Sequence, residues 1–148
     1  MKCLSIRQPF ASLFFDHPLS PHDIGPDLIW KKIELRSKPT KYRGPLLICA
    51  ALQWHTGHVL TAKSGRQIIN ESARSFKELP FPLGVAIGVV DLVDCRPMTH
   101  DDELDACHEF IEGAFAWVTQ NPIKIEPFPM KGQLGLWDYK GPELIFPA

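Results

Sequence analysis

The sequence predicts an α+β fold, on three observations. Its 148 residues are 45% hydrophobic, enough to close one sizeable core and too apolar for a disordered chain. Proline, with 14 residues, stands at about twice its average usage, which favours short elements broken by turns over a helical bundle. Runs patterned as strands, either alternating or continuously apolar, outnumber stretches with helical spacing. No internal repeat and no linker-like composition interrupts the chain, so residues 1–148 read as a single domain.

The first element is a short strand over residues 2–6, running into a helix that opens at Pro9, where a missing N–H costs nothing. Ala11, Leu13, Phe14 and Phe15 give that helix its apolar surface. Residues 16–26, DHPLSPHDIGP, form a loop by their prolines, glycine and aspartates. Residues 30–37 then alternate, with Ile33 and Leu35 on one face and Lys32, Glu34 and Arg36 on the other, as in a half-buried strand with a charged face. A turn in KPTKYRGP leads to residues 46–52, a continuous apolar run of buried-strand length.

Residues 64–79 fit a helix through Ile69, Ala73 and Phe76, stopped by Pro80 and Pro82. Residues 83–95, LGVAIGVVDLVDC, are β-branched and apolar on both faces, which predicts a central strand with bends or bulges at Gly84 and Gly88. Thr99 and Asp102 resemble a helix start, with Leu104, Cys107 and Ile111 continuing along one helical face. Residues 115–118, 123–125 and 134–139 complete the β content.

A formal net charge of −1 conceals a strong asymmetry. Residues 1–77 carry 12 basic and 5 acidic side chains, and residues 78–148 carry 4 basic and 12 acidic. Residues 31–43 hold six basic residues against Glu34 alone, whereas residues 101–112 hold six acidic residues and no Lys or Arg, on a helix expected to stand apart from the basic strand. This excludes a uniformly basic nucleic-acid protein and allows one electropositive face. No run approaches the length of a membrane span, and Arg7 and Gln8 interrupt what a signal peptide would need as an apolar core, which points to the cytoplasm. Cys3, Cys49, Cys95 and Cys107 form no C-x-x-C pair and sit in apolar surroundings, as reduced, buried thiols do.

Most chemical motifs are absent. His55 and His58 in WHTGH, and Cys107 beside His108, lack a third and fourth ligand at zinc spacing, so no metal and no cofactor is expected. There is no G-x-S-x-G elbow and no phosphate-binding glycine loop. What remains is Lys31-x-x-Glu34-x-Arg36, followed by Lys38, Lys41, Tyr42 and Arg43. On a strand, Lys32, Glu34 and Arg36 share a face, while Lys31 points away unless a bulge re-aims it. A carboxylate held among cations can orient a base edge, accept a proton, or simply neutralise an exposed ion-pair ladder.

Four blocks carry a resemblance: LSIRQPFASL, KKIELRSKPTKYRGPLLICAA, FPLGVAIGVVDLVDCRP and KGQLGLW, spanning Leu4 to Trp137. In this order they resemble the signature blocks of the ASCH domain family. That resemblance implies a PUA-like open β-barrel with flanking helices and a cleft for RNA or a modified nucleoside. The family's G-x-K-x-x-E-x-R pattern falls on Lys31, Glu34 and Arg36, and the R-G of its next turn on Arg43 and Gly44. The glycine before the lysine is missing, residues 16–29 make a longer loop, and Ile48-Cys49-Ala50-Ala51 replaces the I-H-A-S of many relatives. Small relatives that act as amidohydrolases on N4-acetylcytidine carry lysine followed three residues later by threonine, where this chain has Glu34.

The resemblance thus implies a ligand held by Lys31, Glu34 and Arg36 on the strand and by Arg7 and Gln8 at the helix entrance. Lys38, Lys41 and Arg43 would contact phosphates, and Tyr42, Trp54 and Trp137 are the stacking candidates. The competing reading is a hydrolase, either amidohydrolase or ribonuclease, in which Lys31 acts as base or nucleophile and Glu34 shuttles a proton. A third reading makes the acidic helix a docking face for a basic protein.

Overall fold

The computed structural model of the chain describes residues 1–16, 30–64, 67–72 and 81–147. Its strands are β1 (Lys2–Gln8), β2 (Ile33–Arg36), β3 (Gly44–Trp54), β4 (His58–Ser64), β5 (Gln67–Ser72), β6 (Val85–Pro97), β7 (Phe115–Pro129) and β8 (Leu136–Asp138). Among the described residues two four-residue helices, α1 (Phe10–Leu13) and α2 (Glu103–Ala106), accompany them, with a 3-10 turn at His100–Asp102 leading into α2. The fold is α+β: an open six-stranded sheet in the order β2-β7-β6-β3-β1-β8, flanked by short helices, and a separate β4-β5 pair. β1 runs parallel to β3, and the other neighbours in the sheet are antiparallel. No helix among the described residues is long and apolar enough to cross a membrane.

The continuous apolar run in β3 follows from its place between β1 and β6. Leu46, Ile48 and Ala50 join Leu4, Ile6 and Phe14 in a core under α1, while Leu47 and Cys49 join Cys3, Ala86 and Ile125 on the opposite face. Alternate side chains of one strand therefore enter two cores, and neither face can be polar. β6 is central, as its pattern predicts, and its pairing with β7 shifts register at Gly88. A Cβ at Gly88 would collide with the Phe15 ring and stand 2.9 Å from the Ile123 carbonyl oxygen.

The strands expected over residues 115–118 and 123–125 are one continuous strand, β7, the strand expected over 30–37 is confined to Ile33–Arg36, and two further elements differ more deeply. The helix predicted over residues 64–79 is absent from its described part, where β5 pairs antiparallel with β4 from Ser64↔Gln67 to His58↔Ser72. The adjacent β-branched Ile68 and Ile69 prefer a strand, and pairing with β4 overrides the helical spacing. Residues 73–79, like the loop residues 17–26, lie outside the described set. The helix begun at Thr99 carries the expected reciprocal cap with Asp102. It stops at Cys107, which takes a left-handed conformation at φ 56, instead of continuing to Ile111. Acidic Glu109 and Glu112 thus fall beyond α2.

The two charge windows are also neighbours rather than separate. The Lys32 N–H donates to the Asp105 carbonyl at 2.8 Å. Ile33, Met98, Ala106, Ala114 and Ala116 form a small core between β2, α2 and β7.

Candidate functional site

Among the described residues β2 is an edge strand of four residues that pairs with β7 alone. Within it the period of two brings Glu34 and Arg36 to one face, and Arg36 Nη1 stands 3.4 Å from Glu34 Oε2. The strand starts at Ile33, so the period does not reach back to residues 31 and 32. There the backbone is pinned elsewhere: the Lys31 N–H donates to Leu13 O at 3.2 Å, and the Lys32 carbonyl accepts from the N–H and hydroxyl of Thr119, each at 2.8 Å. The outcome reverses the simple alternation. Lys31 turns toward Glu34, whereas Lys32 is exposed and lines a different depression.

Lys31 is only 3% exposed. Its ammonium donates to Ile33 O at 2.7 Å and to Ala106 O at 3.0 Å, and lies 3.3 Å from Glu34 Oε1. The rings of Phe10 and Phe14 lie 4.9 and 5.3 Å from Nζ. An ammonium has three N–H donors, and three acceptors surround this one. Glu34 in turn is held by a cation at each oxygen, with lone pairs left over for a further donor.

Lys31, Glu34 and Arg36 line one cavity of about 510 Å³. Arg7 enters it from β1, and Phe10 from α1. Gln53 and His55 contribute from the end of β3, His108 from just beyond α2, and Gln133 and Leu134 from the segment before β8. Phe10, His55 and His108 form a ring cluster in this wall, with centroids 4.8 Å apart for Phe10–His55 and 5.6 Å for His55–His108. Sequence spacing gives no sign of that cluster. It depends on the His55 N–H bonding to Gln8 O at 2.6 Å and on Leu60 N bonding to Cys107 O at 2.9 Å.

Other residues expected at the ligand lie elsewhere. Gln8 is fully buried, donating to Ser12 Oγ and Pro82 O and accepting from the Ser12 N–H, so its amide is committed to the fold. Lys38, Lys41 and Arg43 are exposed on the connection from β2 to β3, outside the cavity lining. Arg43 donates to the Thr40 and Tyr42 carbonyls and lies 3.9 Å from Asp94. The Tyr42 hydroxyl donates to Pro45 O at 2.5 Å, and its ring packs on the main core. Trp54 and Trp137 likewise pack against buried clusters.

Cys3, Cys49 and Cys107 are buried free thiols, and Cys95 is partly exposed. Burial raises Cys3 and Cys107 to about 11 and Cys49 to about 12. Cys107 faces the core with Leu13 and Val59, away from His108 in the cavity wall. Among the described residues, no group of three or more His, Cys, Asp or Glu side chains has the geometry to hold a metal ion.

This buried lysine, its carboxylate partner and the arginine two residues on fall within residues 30–129, which match the sequence model of the ASCH domain. The chain belongs to the ASCH domain family. This ASCH domain is 27% identical over 146 aligned residues to Activating signal cointegrator 1 of Homo sapiens, and to the same protein of Mus musculus to the same extent. The alignments cover 91% of this chain and 22% of each relative, so the ASCH chain spans about a fifth of their length. Arg7 and Phe10 precede the matched segment and Gln133 follows it, so residues on both sides of the match complete the cavity wall.

Proposed function

We propose that this ASCH domain binds RNA or a modified nucleoside in the cavity walled by Lys31, Glu34 and Arg36, within a sheet that curls as a PUA-like open barrel. The observation that carries this reading is the state of Glu34: a carboxylate 8% exposed, braced by two cations and opening on a concave pocket. A carboxylate only accepts hydrogen bonds, so it pairs with a base edge that donates, such as the amino group of cytosine or the N–H edge of guanine. The ring wall of Phe10, His55 and His108 offers a stacking surface, and Arg7 and Arg36 supply charge for phosphate oxygens. Lys38, Lys41 and Arg43 extend the positive surface beyond the cavity along the backbone of a longer ligand.

The test is fluorescence anisotropy with short single-stranded RNA between 50 and 200 mM salt. Binding should weaken steeply across this range, with a log–log slope of about −0.7 per neutralised phosphate. Glu34→Gln and the Arg36→Ala, Lys41→Ala double variant should each lose about tenfold in affinity, as expected for a charge-assisted contact. No binding of RNA or nucleosides at low salt, or affinities unchanged in both variants, overturns the reading. The hydrolase alternative draws less support from this geometry. An attacking or proton-accepting amine must present a lone pair, yet the Lys31 nitrogen is surrounded by three acceptors. Turnover of N4-acylated cytidines or short RNAs by the wild type, lost in Lys31→Ala, would restore that alternative.

A further inference from the structure

A second cavity of about 800 Å³ adjoins the first. Ser5, Ala51, Gln53, Gln133 and Leu134 line both, so the two are compartments of one groove that share a wall. Their chemistries differ. The first holds Arg7, Lys31, Glu34 and Arg36, whereas among the described residues Lys131 is the only charged one lining the second, beside Leu52, Pro129 and Met130. Leu134 is 99% exposed and Leu52 77% exposed, which leaves two large apolar side chains to solvent at the groove.

From this continuity we infer that the ligand is a single strand of at least two nucleotides: one base enters the first cavity and the next lies in the second. The inference rests on the nucleic-acid reading above and deepens it by choosing a strand over a free nucleoside. Three features favour a neighbouring nucleotide as occupant. The second compartment is reached only one wall away from the first, so a strand held there continues into it. Its apolar surface suits the face of a base, which stacks without regard to sequence. Among the described residues its lone charge, Lys131, complements a phosphate, and no carboxylate of that set lines the compartment to repel one. The amides of Gln53 and Gln133 stand on the shared wall, each able to donate to and accept from either base edge or the ribose.

The experiment measures affinity by calorimetry for cytidine 5′-monophosphate, the dinucleotide CpC and the tetranucleotide of the same base. In the wild type, CpC should bind about tenfold more tightly than the mononucleotide, as one added stacked base predicts. A Leu52→Asp, Lys131→Glu double variant should lose that gain and keep the mononucleotide affinity, because neither residue lines the first cavity. Circular dichroism and the urea midpoint check its fold. Equal affinity of the wild type for mononucleotide and dinucleotide overturns the inference and leaves the nucleoside reading standing. A length gain that survives in the folded double variant also overturns it. Absence of binding by every probe removes both the inference and the reading beneath it.

Discussion

Lys31 serves the fold. Its ammonium ties β2 to the end of α2 through Ile33 O and Ala106 O and neutralises buried Glu34. Lys31→Ala should therefore cost about 3–5 kcal/mol, the usual penalty for stranding one member of a buried pair. A Lys31→Met, Glu34→Gln double variant should recover a large part of that loss, and urea unfolding measures both. A lysine serving only catalysis would leave the midpoint nearly unchanged when removed. The thiols yield a second prediction. With Cys3, Cys49 and Cys107 raised by burial to about 11, 12 and 11, alkylation of the native protein at pH 8 should mark the partly exposed Cys95 first and the other three only on unfolding. Mass spectrometry after timed alkylation reads the order, and early labelling of Cys107 would contradict the packing. At this scale the K-x-x-E-x-R residues were legible as a charged cluster. Gln8 was not legible as a core amide, because its partners Ser12 and Pro82 are set by the helix after β1 and by a residue 74 positions away.

Among the elements, the entry to α2 is held by Asp102, which accepts two hydrogen bonds from Arg96 at 2.7 Å and one from the Thr99 N–H at 2.8 Å. The Arg96 hydrogen bonds, aided by Thr99, hold the Asp102 carboxyl below the usual carboxylate range despite its burial. A folded-state pKa below the unfolded one means that the unfolded chain takes up more protons in acid. The stability from this group is present in full above the ordinary carboxylate range, near pH 4, and is lost as pH falls through the lower folded value. Asp102→Asn should flatten the acid limb of the stability curve, and Asp102→Ala should cost about 1–2 kcal/mol through the lost cap. Urea midpoints at pH 3, 4 and 7 give both numbers. The Thr99 and Asp102 spacing revealed this helix start in advance, because a cap is a local device. Its end was hidden, since the left-handed turn at Cys107 is fixed by packing against Leu13 and Val59. β5 was hidden for the same reason: a strand needs a partner, and spacing alone does not name one.

Over the whole molecule the sheet joins distant parts of the chain. β1 lies between β3 and β8, with Lys2↔Asp138 and Leu4↔Leu136 in register. Removing the residues after Gly135 would make β1 an edge strand, take Trp137 and Tyr139 from the second core and break the Lys2–Asp138 ion pair. That truncation should lower the thermal midpoint sharply or prevent folding, and a midpoint within a few degrees of the intact chain would refute it. Pairings this distant in sequence also predict refolding in milliseconds to seconds instead of microseconds, which stopped-flow fluorescence of the four tryptophans can follow. The sequence by itself determined the mixed class, the doubly buried central strands, the helix start at Thr99 and the residues of the charged cluster. All of these depend on neighbours a few positions apart. Only the tertiary structure decided that Lys31 rather than Lys32 meets Glu34, that His55 and His108 share a wall with Phe10, and that the acidic window packs beside the basic one. The first is decided by the pinning of residues 31 and 32 to Leu13 and Thr119, and the other two are meetings between segments tens of residues apart, so no local pattern encodes the distances that folding closes.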